Sequence, residues 1–316
     1  MIIIITIVIV ERKIQMKRLV NHCFLLTSIV LFSLLLGACG TEKADKVSAN
    51  NKPAQPTEEV RLITTTSALT DIFAELDLDL VGMPETSSTI PARYKDLPTV
   101  GNAMDPDEEK IISLKPTEVF SVTTLQNDLK KGFDAVGIKS RFVDLQGIDN
   151  MLDAIKDIGN DYDRVEEAEK LVGSIQKEID TLSASVADKS SPTVLILLGI
   201  PGSYLVASEN SYIGDLVKKA GGTNIAQGED QPEYLASNTE YLHQSNPDII
   251  LRLAHGWPEK VVEMFDEEFK TNDIWKHFNA VKNDRVYDLE EPLFGTTANL
   301  QATEALEQLI DIMYEN

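Results

Sequence analysis

Residues Tyr162–Val186 read YDRVEEAEKLVGSIQKEIDTLSASV, and this stretch decides the architecture. Val165, Ala168, Leu171, Val172, Ile175, Ile179, Leu182 and Val186 recur at spacings of three and four, the period of one helix face. Lys189-Ser190-Ser191-Pro192 ends the pattern, because proline cannot continue a helix. About 25 residues at 1.5 Å each make a rod of about 38 Å, long enough to run from one domain to another.

On both sides of this rod short apolar runs alternate with amphipathic ones. Before it, strands are expected at 60–63, 80–82, 118–122 and 141–143, and helices at 68–76, 108–114 and 127–136. After it, strands are expected at 194–198, 249–253 and 286–287, and helices at 212–220, 259–268 and 302–313. Such alternation is the signal for βαβ units. The expected fold is therefore α/β: two βαβ-type lobes joined by one long connecting helix, with lobe boundaries at 58–160 and 189–316 and the connector at 161–188. One internal echo supports two related lobes. Glu109-Lys-Ile-Ile-Ser-Leu-Lys-Pro116 precedes the strand at 118–122, and Glu240-Tyr-Leu-His-Gln-Ser-Asn-Pro247 precedes that at 249–253. Both are a helix opening at Glu, a Pro seven residues on, and a sharp turn into a buried strand.

The first 57 residues are of a different kind. From Met16, Lys17 and Arg18 lead into an apolar run from Phe24 to Leu36, followed by Gly37, Ala38 and Cys39. Positive start, short apolar core and small residues before the cleavage point are the layout of a secretory signal, 1–38. An uncleaved anchor with an incidental cysteine is the alternative. Residues 1–15 sit awkwardly ahead of it and fit an upstream start codon, with Met16 the true beginning. Residues 39–57 are polar and form a flexible tether; about eighteen such residues have an r.m.s. reach of about 20–25 Å.

Charge narrows the function. The chain holds 51 Asp and Glu against 29 Lys and Arg, a net charge of −22. That excludes a nucleic-acid partner, which needs a basic face. Both cysteines, Cys23 and Cys39, precede the folded part, so no disulfide framework or cysteine metal site lies within it.

Several stretches carry a family resemblance: Pro91–Pro98 (PARYKDLP), Gly101–Asp105 (GNAMD), Leu195–Val206 (LILLGIPGSYLV), Tyr212–Val217 (YIGDLV), Arg252–Gly256 (RLAHG), Asn272–His277 (NDIWKH) and Val286–Glu291 (VYDLEE). Together with Leu36-Gly37-Ala38-Cys39, which resembles the lipobox of bacterial lipoproteins, they resemble the heme-receptor lipoproteins of the iron-regulated surface determinant system. That family lies within the substrate-binding proteins, class III, that feed ABC importers of heme, siderophores and cobalamin. The resemblance implies a non-enzymatic protein, lipidated at Cys39 and held on the outer face of a Gram-positive-type cell membrane. It would bind heme b as cargo and hand it to an ABC permease and its ATPase, receiving it from upstream cell-wall heme donors. It would act as a monomer and bind no nucleic acid.

The resemblance also implies residue roles. Met104 and His255 match the methionine and histidine that hold the heme iron from opposite faces, a thioether–imidazole pair known to suit haem iron. Both positions suit a cleft, since His255 lies just past the carboxyl end of a strand, where open α/β sheets bind ligands. Trp257 and Phe294 would cover the macrocycle. Ser67 and Ala68, opening the first helix, and Thr86 and Ser87 match the propionate-binding loops; where the family carries a tyrosine this chain has Ser87. A helix N-terminus is a natural anion site, although Ser67 could instead cap that helix. His243 and His277 read as structural. Glu109 and Glu240 match the carboxylates that dock on permease arginines, or are ordinary first-turn carboxylates.

The rival readings are a siderophore or cobalamin receptor of the same class, a zinc or manganese receptor, and an enzyme. Only three histidines lie beyond the signal, few for a zinc or manganese site. Gly202-Ser203-Tyr204 lacks the second glycine of a nucleophile elbow.

Overall fold

The computed structural model describes residues 59–314 apart from 238–241, 243 and 256. Cys39, the signal and tether segments, Glu240 and His243 lie outside the described residues.

Leu62–Thr64 and Glu118–Val122 are almost wholly buried, as central strands of a sheet covered on both faces must be. They are the middle of the first sheet. In chain order this half contains β1 (Leu62–Thr64), α1 (Ser67–Glu75), β2 (Leu80–Gly82), a hairpin of β3 (Gly101–Asn102) and β4 (Asp105–Pro106), α2 (Glu108–Ser113), β5 (Glu118–Val122), α3 (Gln126–Ala135) and β6 (Ser140–Val143). The sheet order is β2-β1-β5-β6, all parallel.

Two helices follow: α4 (Ile148–Asp161) and α5 (Val165–Ser185). The second half contains β7 (Thr193–Ile200), β8 (Ser203–Ala207), α6 (Tyr212–Lys219), β9 (Thr223–Asn224), β10 (Tyr234–Ala236), β11 (Ile249–Ala254), α7 (Pro258–Thr271), α8 (Asn279–Lys282), β12 (Val286–Leu289) and α9 (Ala302–Tyr314). Its sheet runs β10-β8-β7-β11-β12, with β9 alongside β7. β7, β9, β11 and β12 are parallel, and β8 and β10 extend the sheet antiparallel beyond β7, with β10 at the edge. The fold is the α/β class expected.

Three elements bear most on the comparison with the sequence expectation: the connector, α4 and β8. The connector is shorter than Tyr162–Val186 and is preceded by α4, which the reading above passes over. The chain breaks at Asp163, held at φ 57°, so the connector starts at Val165 and α4 is a separate helix before it. Val165, counted as periodic, is in fact exposed. β8 also escapes the expectation. It folds back on β7 through Pro201-Gly202, with Gly202 at φ 84°, a two-residue turn that only glycine fits easily.

The helix pair does more than span a gap. One continuous apolar cluster runs from Phe73 and Phe120 under the first sheet, through Met151, Ile155, Ile158, Ile175 and Ile179 on α4 and α5, to Leu306 and Leu309 on α9 and Leu251 in the second sheet. Polar ties add to it. Ile148 N–H donates to Asp215 Oδ2 at 2.8 Å, so the amino end of α4 is capped by a carboxylate from the second half. Ala298 N–H donates to Leu145 O at 2.7 Å, and Gln146 Nε2 to Glu233 Oε1 at 2.6 Å.

Candidate functional site

The carboxyl ends of β1, β2, β5, β11 and β12 open into one cleft of about 650 Å³, within the size range of small-molecule sites. Residues of both halves line it. From the first half come Thr66 before α1 and Ser67, Ala68 and Asp71 of its first two turns, 84–89 after β2, Ala103 and Met104 of the hairpin, and Thr124 and Leu125 after β5. From the second come Glu233 and Tyr234, His255 after β11, and Glu291, Pro292 and 295–297 after β12.

Met104 is presented by its turn. Asn102 Oδ1 accepts the N–H groups of both Met104 and Asp105 at 3.0 Å, closing the two-residue loop between β3 and β4. Gly101, at φ 92°, lets the hairpin start where a Cβ would meet the Asp105 carbonyl at 3.0 Å. The Met104 residue is 67% exposed. A thioether that fills a core is buried; this one is displayed to the cleft.

His255 is held from two sides. Its N–H donates to the Gly199 carbonyl at 3.0 Å. Gly199 has no side chain because α7 packs there: a Cβ would sit 2.3 Å from Val261 Cγ1 and 2.5 Å from the Phe265 ring. The imidazole Nδ1 lies 2.9 Å from Glu291 Oε1. That hydrogen bond raises the imidazole above its ordinary pKa, against the opposing pull of burial, with the Glu291 charge adding to the rise. With Glu291 ionised, Nδ1–H donates and Nε2 keeps its lone pair for a ligand. Beneath, Arg252 of β11 is bidentate to Asp288 of β12 (2.7 and 2.5 Å) and bonded to Asp266 at 3.0 Å, which fixes the two strand ends together.

The amino end of α1 faces the same space. Thr66, not Ser67, is its N-cap: its side chain accepts from Leu69 N–H. The first-turn amides of Ser67 and Ala68 therefore have no helical partner and are free to receive an anion. In the second loop Thr86 Oγ1 accepts from Ser88 N–H at 3.0 Å, and Ser87 is exposed.

The chain matches the model of the family described as periplasmic binding protein over residues 62–293, from β1 through β12. The chain belongs to the periplasmic binding protein family. Among relatives of this family member, the high-affinity heme uptake system protein IsdE of Staphylococcus aureus strain Newman is 44% identical over 294 residues, covering 92% of this chain and 97% of that one. Among solved structures, an ABC transporter substrate-binding protein from Listeria monocytogenes EGD-e shares 54% identity and superposes with a TM-score of 0.78, covering 82% of this chain and all of that one. S. aureus IsdE complexed with heme shares 47% identity at a TM-score of 0.79, covering 81% of this chain and all of that one.

Within this periplasmic binding protein the cleft gathers Ser67, Ala68, Thr86, Ser87, Met104 and His255. Glu109 lies apart from it, exposed in the first turn of α2. Two expected apolar covers are not there. Phe294 is 3% exposed and belongs to the core, and Trp257 points to solvent with Lys260 Nζ 4.1 Å above its ring. Val122, Leu125, Ala103 and Pro292 provide apolar lining instead. His277 lies in the 3₁₀ turn Trp275–His277, outside the cleft. Of the charged and aromatic lining residues, Asp71, Glu85, Glu233, Tyr234 and Glu291 carry no role in the sequence analysis. The signal for Glu291 was present, an acid just past a strand, but linking it to His255 requires knowing that β12 pairs with β11. A second hollow of about 620 Å³, lined by Glu209, Asp215 and Glu229 among others, meets the cleft at Glu233 but offers no thioether or imidazole.

Proposed function

We propose that this protein captures heme outside the cell and delivers it to an ABC permease for iron acquisition. The observation that carries the reading is the single cleft in which a displayed thioether from the first half and a carboxylate-oriented imidazole from the second both face the ligand space. In this reading Met104 Sδ and His255 Nε2 are the axial ligands of the iron. The amides of Ser67 and Ala68, with Thr86 and Ser87, take the propionates. Glu291 holds the imidazole in the tautomer that leaves Nε2 free. Two ligands on separate sheets make coordination depend on how the two halves are set, and the continuous core through α4 and α5 sets them. The relative that is a high-affinity heme uptake protein, and the neighbour complexed with heme, support the same cargo.

The rest of the reading concerns place and partners. Cys39 carries the lipid that anchors the protein, which works as a monomer that accepts heme from cell-wall donors. Among the described residues no helix is long and apolar enough to cross a membrane. Glu109 and Glu240 dock on the permease.

Titration of the protein from Gly40 onward with hemin tests the cargo. The expected result is a stoichiometric Soret band with the bands of six-coordinate low-spin iron; no spectral change, with tight binding of a ferric siderophore or cobalamin instead, overturns it. For docking, the pair Glu109→Lys and Glu240→Lys is expected to abolish heme-dependent growth while hemin binding by the purified protein stays unchanged. Normal growth of that strain rejects the assignment.

A further inference from the structure

Among the described residues the cleft lining holds four carboxyl groups, Asp71, Glu85, Glu233 and Glu291, and no Lys or Arg. Heme brings two more carboxylates into this space. Three of the four are accounted for: Glu233 is bonded to Gln146, Glu291 to His255, and Glu85 is exposed to solvent. Asp71 is not. Among the described residues its carboxyl has no hydrogen bond and no ion pair. It lies one turn past Ser67 on α1, and borders both the cleft and a small void shared with Ser67, Thr86 and Thr89. It thus touches the space between the two stretches assigned to the propionates.

We propose that Asp71 determines carboxylate recognition in this cleft: protonated, it donates a hydrogen bond to a ligand propionate, and ionised, it repels that propionate. The proposal rests on the heme reading above. Burial holds the Asp71 carboxyl up at about 6, and the Glu75 carboxylate one turn along α1 adds to the rise. The groups that face it from other elements do not offset this. Glu85 from the β2 loop, and Glu233 and Glu291 across the cleft, are acidic; Tyr234 is neutral; His255 is committed to Glu291. Arg93, on the turn after that loop, is committed to Asp77 and Asp79. A propionate arriving beside Asp71 favours its protonated form further, so binding takes up a proton. Affinity is then highest below about pH 6 and falls as pH rises through that value, where the unliganded carboxyl ionises.

The test is the rate of hemin loss to an excess of apomyoglobin, for wild type and Asp71→Asn, between pH 5.5 and 8. Asparagine donates a hydrogen bond at every pH. The wild-type rate is expected to stay within about twofold of the variant's at pH 5.5 and to exceed it about tenfold at pH 8, the factor that a one-unit ligand-induced pKa change produces. Taking the ratio of the two cancels the His255 titration that both proteins share. With the dimethyl ester of hemin the two proteins are expected to release at the same rate throughout. A pH-independent ratio for hemin, or the same ratio for hemin and its ester, overturns the role of Asp71 while leaving the heme reading intact. Failure of the wild type to bind hemin at all overturns both.

Discussion

With His255 as an axial ligand, His255→Ala is expected to lose hemin affinity by on the order of 100-fold or more, and its hemin complex to lose the low-spin six-coordinate spectrum. Outer-shell partners of metal ligands already cost about 10–100-fold when removed, so deleting the imidazole itself exceeds that range. In free energy the loss is about 2.7 kcal/mol or more. The backbone should not register the change. His255 N–H still reaches the Gly199 carbonyl, and the Arg252–Asp288 pair under it is untouched. Equilibrium titration and the Soret maximum check the effect, and thermal unfolding of the unliganded variant checks the control. His277→Ala, outside the cleft, is expected to leave the hemin spectrum as it was. A variant at His255 that keeps both wild-type spectrum and affinity rules out the imidazole as an axial ligand.

Trp275→Ala destabilises the fold by about 3–5 kcal/mol, the range for emptying a packed aromatic site. Its ring is fully buried, stacked on Phe269 at 4.3 Å and 9° and against Phe278 at 5.1 Å. Nε1–H donates to Glu268 Oε1 at 3.1 Å, so truncation also strips a partner from a half-buried carboxylate. At about 2–4 °C per kcal/mol for a domain of about 150–250 residues, the unliganded protein should melt on the order of 10 °C lower. A urea midpoint shift with an unchanged slope is the measurement. Loss of less than about 1 kcal/mol would mean that the cluster around α7 closes over the cavity.

The alternation of strands and helices was legible because it is a local pattern. Parallel central strands must be apolar on both faces, and Val194–Leu198 and Ile249–Leu253 could be read from their residue types alone. α4 was also legible and was missed: Met151, Leu152, Ile155 and Ile158 repeat at helical spacing and all are buried. The long connector was legible too, and only its start differs: Tyr162 keeps helical spacing with Val165, and the backbone at Asp163 alone shows that the helix begins after it. β8 and β10 were hard to see because both are short and half-exposed, so their patterns are diluted.

The site divides along the same line. Met104 and His255 were singled out through the family resemblance carried by their stretches, and the cleft holds both. The Glu291 partner of His255 could not be, because two residues 36 apart in sequence meet only through the β11–β12 pairing. Trp257 and Phe294 do not line the cleft for a related reason: an aromatic near a candidate site residue says nothing of which way its helix or core claims the ring. Composition, period and motif spacing are short-range properties, and they determined the α/β class, the two blocks of units and the residue types offered to a ligand. Tertiary structure alone decided that the two blocks share one core through α4 and α5. It also decided that a methionine and a histidine 151 positions apart line one space, and that Asp71 stands there without a partner. Those facts depend on which strand ends lie side by side, and strand order is set by packing that no stretch of chain encodes by itself.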